Sequence, residues 1–449
     1  MAHDVEQTTF LPEEVFAFEI ERTDEPLVAR GGLVLPHQMA QALGLPKKID
    51  QELPPPGSGR GLPPSAYVMA LLLMLHGGGR ALEDLRDLQG EVSLRRLLKM
   101  RHLPASCTVG DWLRRMGVDG RGLEGLGRVN GYLAEQVLAR KGGAGYTLDV
   151  DGTIIESEKA GAQWTYKKVK GYQPVVGFVQ ESEGEGEEER VRVRGLVIEE
   201  EFRDGNVPSG ADAVAFLERC RRGMPAGKRL EAVRLDSAWY QAAVFNWSRG
   251  WGLRLVVCAD QDVAVKEAVR SIGEGEWRPY RGDREIAETV HTMDETEEAF
   301  RLVVVRWPKP QPELFDPEPY FYHVLATNGE EQAEEVVEFY NQRGEVENWI
   351  KELKDGFGME WMPCGETYAN AVFFRLGVMA YNLFLAMKLL SLPKGWHRHT
   401  VGTVRWRLYQ IAGRVVWEAR RAVLMLATAV EKMLVLLGAR RRIRQMAVT

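Results

Sequence analysis

Apolar residues recur at helical spacing through 64–76, 81–89, 93–100, 108–116 and 123–140, with turn residues between them, and predict a set of short helices. The texture changes after Lys141-Gly-Gly-Ala-Gly145. Segments 146–150, 172–180 and 191–198 read as strands, 211–222 as an amphipathic helix, and 230–235 and 253–258 as buried strands. That order predicts a mixed α/β sheet. Four β-rich runs, 276–281, 285–293, 300–307 and 320–327, interrupt it. A long helical pattern then covers 331–354, and an apolar one covers 369–390. Residues 1–60 read as irregular and end in the linker Leu53-Pro-Pro-Pro-Gly-Ser-Gly59; the Glu- and Gly-rich run 181–189 reads as a solvated hairpin tip. No repeat at solenoid spacing is present.

Composition narrows the class. Of 449 residues, 45% are apolar and 27% charged, which excludes a disordered or collagen-like chain. Lys and Arg number 58 against 64 Asp and Glu, so the net charge of −6 argues against a uniformly basic nucleic-acid coat protein. The charge is uneven, however. Residues 394–449 carry 12 Lys and Arg against two Asp and Glu, a polyanion-facing tail on an acidic body. Cys107, Cys220, Cys258 and Cys364 lie far apart with no CxxC pair, which argues against a zinc site or disulfide framework and fits a reducing cytosol. The start lacks the basic and apolar regions of a signal peptide, and 371–390 carries Arg375, Asn382 and Lys388, so a soluble intracellular protein without membrane spans is expected.

Chemistry concentrates in three places. In Tyr340-Asn-Gln-Arg343-Gly-Glu-Val-Glu347-Asn-Trp-Ile-Lys-Glu-Leu-Lys354, a continuous helix would put Tyr340, Arg343, Glu347 and Lys354 on one stripe within roughly 60°. Such a face could hold a metal while gripping a phosphate backbone; it could equally be a solvated face with Glu–Lys pairs. Two further acidic sites end predicted strands: Thr147-Leu-Asp149-Val-Asp151-Gly-Thr153 and Val233-Arg-Leu-Asp236-Ser237. Asp149 and Asp151 share one pleat face, so at least one points into a sheet-end cleft, although aspartates there also serve as turn or helix caps. Three carboxylates on separate elements can hold two ions for in-line phosphoryl displacement. His291, His323, His397 and His399 show no metal-ligand spacing, and Ser157, Ser237 and Cys258 have no identifiable base.

These segments together resemble the DDE transposases of bacterial insertion sequences. The spacing Tyr340-x2-Arg343-x3-Glu347-x6-Lys354 matches that superfamily's Y-R-E-K signature. The likeness is closest to the insertion-sequence thirteen-eighty group, the transposase DDE domain group 1 proteins. Lys170-Gly-Tyr-Gln-Pro174, Phe202-Arg-Asp-Gly-Asn-Val207 and Arg234-Leu-Asp236-Ser237 add to it, and it spans roughly 60–425.

The resemblance implies an α/β RNase H-like catalytic core with a β-rich insertion, preceded by an all-α N-terminal domain and followed by basic C-terminal helices. The boundaries expected are 1–60 for an arm and linker, 61–144 for a helical DNA-binding domain, and 145–261 for the first part of the core. The insertion would cover 262–330, the second part of the core 331–393, and the basic helical region 394–449. Asp151, Asp236 and Glu347 would be the catalytic and metal-binding triad, with two Mg2+ ions that Mn2+ could replace. Asp149 would be a supporting residue or the alternative ligand. Tyr340, Arg343 and Lys354, together with Arg114, Arg115, Arg405 and Arg407, would bind DNA. Trp277 and Trp307 in the insertion are candidates to stack on a flipped base during hairpin formation.

The implied activity is cut-and-paste movement of an insertion sequence: cleavage at terminal inverted repeats and strand transfer to target DNA. The enzyme would act as a homodimer in the cytoplasm of a bacterium, at the nucleoid when bound to DNA. The rivals are an RNase H-like metal nuclease without strand transfer and a domesticated DNA-binding protein without catalysis. The low net charge and Gly344 inside the signature helix depart from the pattern.

Overall fold

The computed structural model describes residues 20–57, 59–182, 192–310, 318–418 and 421–447. The hairpin tip expected at 181–189 falls, from 183 on, outside them.

A nine-stranded mixed sheet forms the middle of the protein. Its strands are β1 (Gly145–Gly152), β2 (Val175–Glu181), β3 (Leu196–Glu201), β4 (Arg229–Leu235), β5 (Arg254–Cys258), β6 (Arg278–Pro279), β7 (Glu285–His291), β8 (Phe300–Pro308) and β9 (Tyr320–Thr327). They lie in the order β6-β7-β8-β9-β5-β4-β1-β2-β3. Strand β1 is antiparallel to β2 and parallel to β4, and β4 is parallel to β5. Residues 146–150 of β1 and all of β2 are buried, as expected of strands covered on both faces. The insertion does not stand apart from this sheet. Strand β9 pairs with β5 through Leu325↔Cys258, Ala326↔Val257 and Thr327↔Val256, so its hairpins extend the same sheet.

Against the β3 side packs the helix Thr367–Ser391, which is apolar all round. A helix of that kind belongs in a core or a membrane; among the described residues it is long and apolar enough to span, and 94% of its most apolar window is buried inside the protein. Helices Pro64–Gly77, Ser106–Gly117 and Arg121–Arg140 pack on it, so the N-terminal helices and the sheet share one hydrophobic cluster. Buried Asn382 of this helix treats the free edge of β3 as another strand would. It accepts from Val197 N at 3.0 Å, donates to Val197 O at 2.8 Å, and donates to Asn130 Oδ1 at 2.9 Å.

Three expectations need correction. Residues 1–60 are not irregular throughout, because Val34–Ala42 and Leu45–Glu52 are helices. Their prolines stand in first turns, where no helical N–H is lost. The region 394–449 is not all helical: Gly413–Glu418 and Arg421–Leu426 form a hairpin, and Leu27–Val28 joins it antiparallel. The pattern at 331–354 is not one helix either. It divides into Ala333–Asn341, a 3-10 turn at Gln342–Gly344, Glu345–Lys351, and a π turn at Glu352–Gly356. Glycine weakens a helix interior, and the break falls at Gly344.

Candidate active site

Asp151 lies at the C-terminal end of β1, and Asp236 directly follows β4. The two strands are adjacent and parallel, so both carboxylates emerge at the same sheet edge, the usual place for a site in such sheets. Local hydrogen bonds fix one oxygen of each. Asp151 Oδ1 accepts from Gly152 N at 2.9 Å, and Asp236 Oδ1 accepts from Ala238 N at 3.0 Å, capping a 3-10 turn. The Arg343 guanidinium sits between them. Its Nη2 is 3.2 Å from Asp151 Oδ1 and 3.6 Å from Asp236 Oδ2, and it donates to Val150 O at 3.0 Å. Burial pushes the Asp151 carboxyl up to about 6, with Arg343 pulling it down and Asp236 pushing it further up. Burial disfavours the charge on Arg343, but the flanking carboxylates outweigh it and raise the guanidinium above its ordinary value.

Asp149 has a different task. It is fully buried in a bidentate pair with Arg234, whose Nε and Nη2 donate at 2.8 and 2.7 Å, and Gln180 Nε2 donates a third bond at 3.0 Å. Every hydrogen bond of the Asp149 carboxylate is therefore internal.

The signature residues spread along this edge. Arg343 docks on Val150 O, and Lys354 Nζ donates to Ile154 O at 2.8 Å, so the segment lies along the chain leaving β1. Glu347, between them in sequence, is exposed. Among the described residues no three acidic, His or Cys side chains lie close enough to hold a metal ion together. The carboxylate pair suits a cation, since it already embraces one; the three-carboxylate set does not come together here. Tyr340 is half-buried, its ring edge-on to His323 at 5.6 Å, and burial raises its phenol.

Other expected DNA contacts divide sharply. Arg405 is spent internally, donating to His76 O, Leu75 O and Gly356 O and so capping the end of Pro64–Gly77. Arg114 pairs with Glu366 at 3.1 Å and Asp111 at 3.2 Å, tying its helix to the start of Thr367–Ser391. Both corrections have one cause: unsatisfied helix ends and carboxylates compete for arginine. Arg115 and Arg407 are exposed. Trp277 is buried, with the Arg306 guanidinium 4.0 Å from its ring centre, so that face is taken. Trp307 is only partly buried, between Phe321 at 5.8 Å and Arg284 at 5.1 Å.

Sequence reasoning missed a groove of about 1360 Å3 beside the signature helix. Eight Lys and Arg side chains line it against three Asp and Glu, including Arg194, Lys351 and Arg398, with Trp349 on its wall. Lys351 and Arg398 are exposed. Its cations come from five chain segments, so no local run announces them.

A solved structure of similar shape, a piggyBac transposase synaptic complex with hairpin DNA, shares 11% identity and a TM-score of 0.45, covering 85% of this chain and 80% of that one. No curated protein sequence matches the chain. The family model described as transposase DDE domain group 1 matches residues 17–448, and with that match over almost its whole length the chain belongs to this transposase family.

Proposed function

We propose that this transposase moves an insertion sequence by cut-and-paste, cleaving DNA at terminal inverted repeats and transferring the freed strand to target DNA as a homodimer. The observation that carries the reading is the Asp151–Asp236 pair, held around one guanidinium at the ends of adjacent parallel strands, on a chain whose signature helix also lines a basic groove. The run β3-β2-β1-β4-β5 supports an RNase H-like core.

DDE transposases use divalent metal ions. We infer that Asp151 and Asp236 would hold Mg2+ (two ions, or Mn2+), supplying the charge that activates water or a 3′-hydroxyl, and that Glu347, which stands apart from the pair here, would have to approach to serve as the third carboxylate. The chain's own residues do the rest. Arg343 holds the pair together against its mutual repulsion, Arg234 and Asp149 brace the strand ends, and Lys351 and Arg398 offer charge to phosphates. The exposure of Glu347 favours one second reading, a DNA-binding protein without catalysis.

The test is a nicking and joining assay on DNA carrying the inverted repeats that flank the gene. Metal-dependent nicks and joined products, absent in Asp151→Asn and Asp236→Asn, support the transposase. Nicks without joining point to a plain nuclease, and binding without nicks to the second reading.

A further inference from the structure

Between β1 and β2 the chain builds a small sheet from Ile155–Glu156, Gln163–Trp164 and Lys170–Tyr172. Its tip displays two large rings to solvent, Trp164 at 62% exposed and Tyr166 at 72%. The sheet does not need them for packing, since Ile155, Ala162, Thr165 and Tyr172 are its buried residues. From 161 to 175 the chain has Lys167, Lys168 and Lys170 and no Asp or Glu. Lys170 Nζ lies 5.9 Å from the Trp164 ring centre and Lys167 Nζ 5.8 Å from that of Tyr166. Among the described residues none of these lysines forms an ion pair.

The tip is also firmly shaped. Thr165 donates to Val169 O through its N at 2.8 Å and its Oγ1 at 2.9 Å, and Lys168 N donates to Thr165 O at 3.0 Å. Lys168 closes the turn at φ +61°, a conformation that favours glycine, so a lysine stands there against its backbone preference. The base is bolted to the site and the core. Lys354 holds Ile154 O, Gly161 N donates to Gly365 O at 2.9 Å, and Asn370 reaches the Tyr172 hydroxyl at 3.1 Å.

We propose that this hairpin is a DNA-binding site of its own: Trp164 and Tyr166 stack on unpaired bases near Asp151, and Lys167, Lys168 and Lys170 take the adjoining phosphates. Exposed rings and three lysines on a stretch that itself carries no acid match an unpaired polynucleotide, because every base offers a face to stack on. The site deepens the transposase reading and rests on it. Its first strand begins four residues past Asp151, and its base is tied to the signature segment through Lys354 and Ile154 O.

The experiment is fluorescence anisotropy of the full chain with two fluorescein-labelled DNAs, one a blunt duplex and one the same duplex with a single-stranded thymidine overhang. Trp164→Ala and Tyr166→Ala are each expected to weaken overhang binding by about fivefold or more and to leave the blunt duplex within about twofold. Lys168→Gly is expected to lower the salt slope by about one on the overhang DNA, without lowering the melting temperature, since the turn suits glycine. Ring variants that bind the overhang as wild type does, or that lose both DNAs equally, overturn the site while leaving the transposase reading intact if wild type still nicks repeat DNA. A wild-type chain that binds neither DNA overturns both.

Discussion

Asp149 and Arg234 face each other across β1 and β4 as directly paired residues, joined by two hydrogen bonds and wholly out of solvent. The same guanidinium reaches Phe339 O at 2.7 Å and Gln342 Oε1 at 3.1 Å. One buried pair thus ties the two aspartate-bearing strands to the segment that delivers Arg343.

Breaking that pair leaves a buried charge without a partner. Asp149→Ala and Arg234→Ala should each lower stability by about 3–5 kcal/mol, with the joint substitution costing less than the two effects combined. Urea unfolding of the three variants checks this. Asp151→Asn should keep its fold and lose cleavage, so stability separates the two aspartates even where activity does not.

Arg343 and the groove cations should part in a salt titration. Arg343 faces Asp151, Asp236 and Val150 O, so Arg343→Ala should abolish nicking and leave the salt slope of duplex binding unchanged. Lys351→Ala and Arg398→Ala, on the groove, should each weaken duplex binding and reduce the slope by about one. A slope that falls for Arg343→Ala alone would mean that its guanidinium leaves the aspartates for phosphate.

Gly195 lets the signature helix come close. It sits at φ +72°, and a Cβ there would lie 2.6 Å from the Trp349 ring, two residues after Glu347. Gly195→Ala should cost more than the roughly 1 kcal/mol of a left-handed alanine and should depress nicking beyond its effect on stability. Thermal melts with single-turnover nicking below the melting range measure both.

Glu199 on β3 sets a pH dependence away from the site. Burial pushes its carboxyl up to about 7, with Arg375 opposing and Glu200 adding. The native state therefore holds this proton more tightly than the unfolded chain does. Its stabilising contribution is complete below about 4.5 and is lost as pH rises through about 7. Glu199→Gln should match wild type in melting temperature below about pH 4.5, exceed it increasingly as pH rises to about 7, and keep a constant advantage above that.

What the sequence disclosed follows from where the determinants lie. The core strands were readable because β1, β2, β4 and β5 are buried on both faces, and continuous apolar runs bounded by turns advertise that. Asp149 and Asp151 share a pleat face and could not be told apart by pattern, because the pairing of Asp149 with Arg234 is a tertiary contact. The break at Gly344 was less visible, because helical periodicity survives a 3-10 turn while the docking of Arg343 on Val150 is tertiary. Arg405 and Arg114 misled for a related reason: a cation's sequence says nothing about whether a carbonyl or carboxylate claims it first. The hairpin at 413–426 was hidden by its charge, although Val415, Trp417, Val423 and Met425 alternate as a strand should.

The helix Thr367–Ser391 has a consequence for synthesis. It is the shared floor for the N-terminal helices and for β3, and apart from Val430–Met446 its principal partners leave the ribosome before it does. Until it arrives, the apolar faces of Pro64–Gly77 and Arg121–Arg140 lack their largest partner, and β3 lacks the Asn382 that covers its edge. A chain interrupted before residue 367 would carry Asp151, Asp236 and Arg343 and still lack a folded support for them. A truncation between 354 and 367 is therefore expected to abolish activity while leaving Asp151, Asp236, Arg343 and Glu347 in the chain.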